Sequence, residues 1–152
     1  MLPNHFYHPF IVHVPIVLPF VGLGLLVWWS EKVSDHKGEL ISLFAIQLFF
    51  AFAAFYSGSF AGEPVVEKLS PAAHSVYDWH YTFGRLTIFA SAIALAGVSI
   101  ATVATQKKRA FYGVAVLCSL LLCVLVILSG FTGGSLIHEY GINELVGNGG
   151  HL

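Results

Sequence analysis

The chain alternates between long stretches without any charged residue and short polar connections. The charge-free stretches cover residues 10–29, 40–61, 86–105 and 110–137. Each is at least as long as the roughly 20 residues that an α-helix needs to cross about 30 Å of hydrocarbon. We therefore expect four membrane-spanning helices, over about residues 10–29, 40–61, 80–105 and 110–134.

The connections between these stretches predict how the helices are arranged. The first and third connections, at 30–39 and 106–109, are short and polar, so consecutive helices run antiparallel. In the longer second connection, Ser70 and Pro71 have the residue types of an N-cap and a first helical position, which begin a helix that continues past Asp78 into the third span. The expected fold is all-α: a single-domain, integral membrane, up-down four-helix bundle over residues 1–152, without internal repeats.

Composition supports a membrane protein and excludes some functions. The chain is 57% hydrophobic and only 10% charged, whereas a soluble domain has roughly 25% charged residues. A net charge of −1 and the lack of a basic stripe exclude nucleic acid as a partner. Cys118 and Cys123 point to different faces of one predicted helix, so we expect unbridged thiols that pack within the bundle.

The distribution of Lys and Arg predicts the orientation in the membrane. Positive residues concentrate in cytoplasmic loops. The side with the first and third connections carries Lys32, Lys37, Lys107, Lys108 and Arg109, and the other side carries Lys68 and Arg85. We expect a multi-pass protein of the bacterial inner (cytoplasmic) membrane, with both termini and the second connection on the periplasmic or external side.

Histidine is unusually frequent for a chain so poor in polar groups: eight His exceed the seven Lys and Arg together. His36 alone falls on the inner side of the predicted topology. The seven on the outer side are His5, His8, His13, His74, His80, His138 and His151. This one-sided distribution indicates a functional site at the outer end of the bundle.

His13 and His80 are the first candidates for that site. His13 lies inside the first span, where an imidazole is costly unless its nitrogens are satisfied. Pro15 frees the carbonyl of Ile11, which could accept a hydrogen bond from the second ring nitrogen of His13. Helices 1 and 3 are diagonal partners in an up-down bundle, so the two imidazoles are expected to face each other, as the axial ligands of a b-type haem do.

Small residues and one arginine add to the haem hypothesis. The outer ends of helices 2, 3 and 4 carry Gly58-x-x-x-Gly62, Gly84 and Gly130-x-x-x-Gly134. Bare backbone there could form a slot for a flat ligand, although the same spacing is an ordinary helix-packing motif in lipid. Arg85 would need a partner such as Asp78, a lipid phosphate or a haem propionate, or would extend to the headgroups.

The same histidines also allow other sites. A second haem could use His8 with His74 or His138, which we favour less than a single haem. A zinc or copper site could combine several of the histidines with Asp78 or Glu139. The candidate nitrogen ligands for it are His8, His13, His74, His80 and His138. Their spacing does not place pairs on one helix face, which disfavours the metal-ion site.

Three segments resemble an uncharacterised bacterial family of small four-helix membrane proteins, a domain of unknown function. Residues 8–15 resemble its His-Pro-x-x-Val-His-x-Pro opening, residues 80–87 its His-x-x-x-Gly-x-Leu-Thr segment, and residues 130–137 its Gly-His-x-Gly-Gly-x-Leu-Val signature at the end of helix 4. Phe131 stands where the family often has His, and His138 where it often has Tyr. The resemblance implies functional roles for His8, His13 and His80, and redox modules as partners, but no reaction.

The favoured hypothesis is a haem b electron-transfer protein with its haem near the outer face. We expect an electron carrier or complex subunit rather than a stand-alone enzyme, embedded in the bilayer and working with other membrane or periplasmic redox subunits. One alternative is a non-catalytic anchor or assembly subunit of a respiratory or photosynthetic complex. The other is a copper- or zinc-binding membrane protein.

Overall fold

The structure, a computed structural model, describes residues 8–106 and 108–141, and this part of the chain forms four α-helices. The helices are α1 (His8–Trp28), α2 (Lys37–Val66), α3 (Pro71–Val103) and α4 (Lys108–His138). All four are long and apolar enough to cross a membrane. The predicted all-α fold with four spans is therefore confirmed.

The helices pack as a ring. α1 and α3 each pack against both α2 and α4, so α1 and α3 lie on one diagonal, as an up-down bundle requires. We call the end where α1 and α3 begin and α2 and α4 end the histidine end. The described chain enters and leaves the bundle at this end, as expected, and the assignment of this end to the outer side stays a prediction. Lys107, His5 and His151 lie outside the described residues.

The helices extend beyond the charge-free stretches that predicted them. α2 has 30 residues and α3 has 33, which makes α3 about 50 Å long at 1.5 Å per residue. The absence of charge marks only the lipid-embedded part, whereas the helices continue into polar sequence. The second connection is consequently reduced to residues 67–70. Ser70 caps α3 as predicted, since its Oγ accepts the backbone N–H of Ala73 at 3.3 Å and Pro71 follows it.

Small side chains allow α3 and α4 to pack closely. The fully buried residues at their contact include Ala94, Ala101, Ala115 and Ser119. Side chains of this size let helix backbones approach each other, which stabilises bundles in lipid, where apolar burial gives little driving force. Large apolar side chains instead cover the outer surface of the helices, as expected for contact with lipid. Cys118 and Cys123 are free thiols, as predicted.

A buried glutamine links three helices near the middle of the bundle. Pro19 has no backbone N–H, so the carbonyl of Pro15 lacks its helical donor. Gln47 of α2 is fully buried, and its Nε2 donates to the Pro15 oxygen at 3.2 Å and to Ser91 Oγ of α3 at 3.4 Å. Ser91 donates in turn to the carbonyl of Thr87 at 2.8 Å. One side chain thus replaces the hydrogen bond that a proline removes.

Replacing Gln47 with leucine should destabilise the bundle by about 1 kcal/mol, because the Pro15 carbonyl would lose its donor within the membrane. Gln47→Leu should lower the unfolding free energy by less in a Pro19→Ala background, because the backbone N–H of residue 19 can then reach that carbonyl. Reversible unfolding in mixed detergent micelles measures all four variants of this double-mutant cycle. An equal cost of Gln47→Leu in both backgrounds would contradict the assigned hydrogen bond.

Candidate functional site at the histidine end

His80 lies against α4, and one of its ring nitrogens is hydrogen-bonded to that helix. Its Nδ1 is 2.9 Å from the carbonyl oxygen of Ser129 and 3.2 Å from Oγ1 of Thr132. A carbonyl oxygen can only accept a hydrogen bond, so Nδ1 carries the proton and donates it. In the neutral ring, Nε2 therefore keeps its lone pair, which is the form of imidazole that binds a metal.

His8 lies against α2 in the same way. Its Nδ1 is 2.9 Å from Oγ of Ser57, and Ser57 donates its own hydroxyl hydrogen to the carbonyl of Ala54 at 3.0 Å. The Ser57 oxygen is thus left as the acceptor for the Nδ1–H of His8. The Nε2 of His8 keeps its lone pair, like that of His80.

A glycine beneath each imidazole lets the ring rest directly on the neighbouring helix. Gly58 follows Ser57, and a Cβ on it would lie 2.8 Å from Cε1 of His8. Gly133 follows Thr132, and a Cβ there would lie 2.9 Å from Cε1 of His80. Contacts this short would displace the rings, so glycine at both positions allows this arrangement.

The two histidines therefore occupy repeated units that the sequence analysis did not anticipate. In each helical hairpin, an imidazole from the first helix binds a hydroxyl–glycine dipeptide of the second: His8 with Ser57-Gly58, and His80 with Thr132-Gly133. An up-down bundle relates its two hairpins by roughly a half-turn about its axis. Both units lie at the histidine end of the bundle.

His13 does not take the expected position opposite His80. Its side chain is exposed, and its Nδ1 donates to the carbonyl of Pro9 one turn earlier, rather than to the carbonyl of Ile11. Five residues rotate an α-helix by a net angle of about 140°, so His8 and His13 point to different sides of α1. The structure directs the ring of His8, and not that of His13, at α2, so His8 becomes a candidate ligand beside His80, and the pairing of His13 with His80 stays a prediction.

Of the glycines proposed to line a ligand slot, Gly58 lies against an imidazole, and the others do not. A Cβ on Gly62 would lie 2.6 Å from the hydroxyl of Tyr77, and one on Gly84 would lie 3.2 Å from the ring of Phe55. Gly130 and Gly134 have no atom within 4 Å of such a Cβ. The glycine of α4 that contacts an imidazole is Gly133, which sequence reasoning missed although Thr132-Gly133 repeats the pattern of Ser57-Gly58.

The remaining charged candidates lie on the surface. Arg85 is exposed, and its guanidinium carbon lies 6.0 Å from the ring centroid of Tyr81. Asp78, considered as its partner, instead accepts a hydrogen bond from Nδ1 of His74 at 3.2 Å. His74 and His138 are both exposed and form no cluster with His8.

The described residues do not gather the ligands of an all-protein metal site. No group of three or more His, Cys, Asp or Glu within residues 8–106 and 108–141 is placed to hold a metal ion. Glu139, considered as an oxygen ligand, accepts a hydrogen bond from Ser135 at 3.3 Å instead. The imidazoles of His8 and His80, each held against a neighbouring helix, are the candidate ligands in this part of the chain.

Comparison with known proteins identifies a family to which the chain is similar. The family model described as "Predicted membrane protein (DUF2231)" matches residues 4–145, which include all four helices and both histidine units. Neither the curated proteins nor the solved structures give a match. The expected membership of an uncharacterised membrane protein family is thereby confirmed. The chain belongs to the family described as "Predicted membrane protein (DUF2231)".

Proposed function

We propose that the chain binds one haem b at the histidine end, through Nε2 of His8 and Nε2 of His80, and transfers single electrons within the membrane. The observation that carries the proposal is the repeated unit. Two imidazoles from diagonal helices each have Nδ1–H held by a protein acceptor and Nε2 left for a ligand. This is the donor set of an iron with two axial histidines.

The number of imidazoles favours haem over a free metal ion. Structural zinc takes four protein ligands, and catalytic zinc takes three with a water. A porphyrin supplies four nitrogens of its own, so two histidines complete the coordination of its iron. The two imidazoles held in the repeated units, those of His8 and His80, match this requirement of a porphyrin.

The surrounding residues prepare the two rings for ligation. Ser57 Oγ and the Ser129 carbonyl fix the Nδ1–H tautomer and the rotation of each ring, which also raises the basicity of Nε2. Gly58 and Gly133 let each ring lie directly against the neighbouring helix. Bound haem would supply one-electron chemistry. The contribution of the chain is to hold both rings in fixed orientations through these hydrogen bonds. The partner in this proposal is another membrane or periplasmic redox subunit.

A redox titration tests this function directly. The full chain, purified in detergent from a haem-replete host, should show low-spin haem bands in its reduced-minus-oxidised spectrum. These bands should appear and disappear reversibly in a one-electron transition. A folded, helical preparation without redox-dependent absorption, even after hemin is added, would overturn the proposal.

Removing the hydroxyl that holds each ring should have unequal effects in the two units. Ser57→Ala removes the hydroxyl that accepts the Nδ1–H of His8 and should weaken haem affinity by about tenfold or more, the usual cost of losing a partner of a ligating His. Thr132→Val should have a smaller effect, because the Ser129 carbonyl still holds His80. Haem affinity is measured by hemin titration of the apoprotein, and equal losses would contradict the assigned roles.

A further inference from the structure

A groove between α2 and α3 opens at the histidine end, and neither His8 nor His80 lines it. It has a volume of about 520 Å³, within the size range of small-molecule sites. Its chemically distinctive lining is a set of four aromatic rings and two carboxylates. These are Tyr56, Phe60, Tyr77, Tyr81, Glu63 and Glu67.

The aromatic walls of the groove are held in place by contacts among the rings. Tyr56 and Phe60 of α2 pack edge to face with centroids 4.9 Å apart. Tyr77 and Tyr81 of α3 stack at 6.4 Å with an interplanar angle of 23°. Gly62 lets Tyr77 lie on the surface of α2, since a Cβ at residue 62 would be 2.6 Å from the tyrosine oxygen. About half of Tyr56 and of Phe60 stays exposed toward the groove and its surroundings.

The charge of the groove is negative. Glu63 and Glu67 are exposed, and neither forms an ion pair among the described residues, where the ion pairs are His36–Glu39 and His74–Asp78. Aromatic faces attract cations, most strongly alkylammonium groups held by several rings at once. The guanidinium of Arg85, 6.0 Å from the Tyr81 centroid, is one cation already placed over a ring of this wall. Carboxylates and aromatic faces together complement an ammonium group.

We propose that this groove binds the ammonium group of a phospholipid headgroup. Glu63 and Glu67 lie just beyond the charge-free stretch that ends at residue 61, which places them at headgroup level. Below them the exposed rings of Phe52 and Phe49 continue along α2, where acyl chains can pack. A free alkylammonium ion shares the same chemistry, so the test separates the two sources. The groove requires neither His8 nor His80, so its test is independent of haem.

Native mass spectrometry of the full chain in detergent tests the groove. The protein is mixed with equal amounts of phosphatidylethanolamine and phosphatidylglycerol of matched acyl chains, and retained lipids are counted. Wild-type protein should prefer the ammonium lipid, and Glu63→Gln/Glu67→Gln should reduce that preference by about tenfold. The control Glu31→Gln/Asp35→Asn removes the same charge at the opposite end and should keep it.

A calorimetric titration with choline chloride then tests whether the groove also binds a free alkylammonium ion. Saturable choline binding that Glu63→Gln/Glu67→Gln removes would show that the groove accepts the free ion as well. Binding of the phospholipid alone would assign the groove to the lipid. The proposal is overturned if wild-type protein shows no preference for the ammonium lipid, or if the double variant keeps that preference.

Discussion

His8→Ala and His80→Ala are each expected to remove the low-spin haem spectrum, whereas His13→Ala should retain it. His8 and His80 both lie at the histidine end, and their Nε2 atoms form no hydrogen bond among the described residues, while His13 is exposed on another side of α1. Losing either ligand leaves the iron with one imidazole, so the low-spin signal per chain should fall at least about tenfold. The measurement is the reduced-minus-oxidised spectrum of each purified variant, normalised to protein concentration.

Two controls keep this comparison interpretable. His74→Ala and His138→Ala remove exposed imidazoles at the same end of the bundle and should leave the spectrum unchanged. Circular dichroism should show the same helix content in all variants, which separates loss of a ligand from loss of the fold. If His13→Ala abolished the spectrum and His8→Ala preserved it, the pairing of His8 with His80 would be wrong.

Gly58→Ala and Gly133→Ala are expected to weaken haem binding, although neither substitution changes an imidazole itself. The added methyl would lie 2.8 Å from the ring of His8 in the first variant and 2.9 Å from the ring of His80 in the second. Because these close contacts involve rings held by hydrogen bonds, the ring or the helix must move. We expect haem affinity to fall about tenfold or more and the unfolding free energy to fall by about 1–3 kcal/mol.

Matched controls for these substitutions lie on α4 itself. Gly130→Ala and Gly134→Ala add the same methyl group where no atom lies within 4 Å. Their stability should be unchanged or higher by up to about 1 kcal/mol, since alanine favours a helix more than glycine does. Affinity and stability are measured by hemin titration and by unfolding in mixed micelles. Equal losses in Gly130→Ala and Gly133→Ala would show that helix packing in general, and not the imidazole, requires glycine.

The fold could be predicted because it depends mainly on where charged residues occur along the sequence. Stretches without charge must cross the hydrocarbon, and their length and number specify the four helices. Their ends could not be found in this way, because α2 continues through Glu63 and Pro64 to Val66, and α3 begins at Pro71, outside the charge-free stretches. Local signals did better there, since Ser70-Pro71 marked the start of α3 correctly.

The candidate site was predicted only in part, for a physical reason. His80 was identified by its depth in the helix, and depth also favoured His13. Depth does not give the direction of a side chain around the helix, and His8 and His13 differ by about 140° in that direction. The sequence did hold a usable signal: a hydroxyl residue followed by glycine lies toward the end of both α2 and α4, as Ser57-Gly58 and Thr132-Gly133.

The groove was not predicted, because each of its residues has an ordinary explanation when taken alone. Tyr77 and Tyr81 have the composition of an interfacial aromatic belt, and Gly62 has the spacing of a helix-packing motif. Only the structure shows that Gly62 lets Tyr77 lie across α2, beside Glu63. Combinations of common residues on two helices become recognisable once the helices are placed side by side.

In the proposed function, His8 and His80 together bind one haem. The most direct measurement is pulsed electron paramagnetic resonance of the oxidised protein, with ¹⁵N-labelled histidine and measured haem content. We expect one low-spin haem per chain, with two imidazole nitrogens bound to the iron and retained in His13→Ala. Absence of bound haem, or two imidazole ligands that persist in His8→Ala, would contradict it.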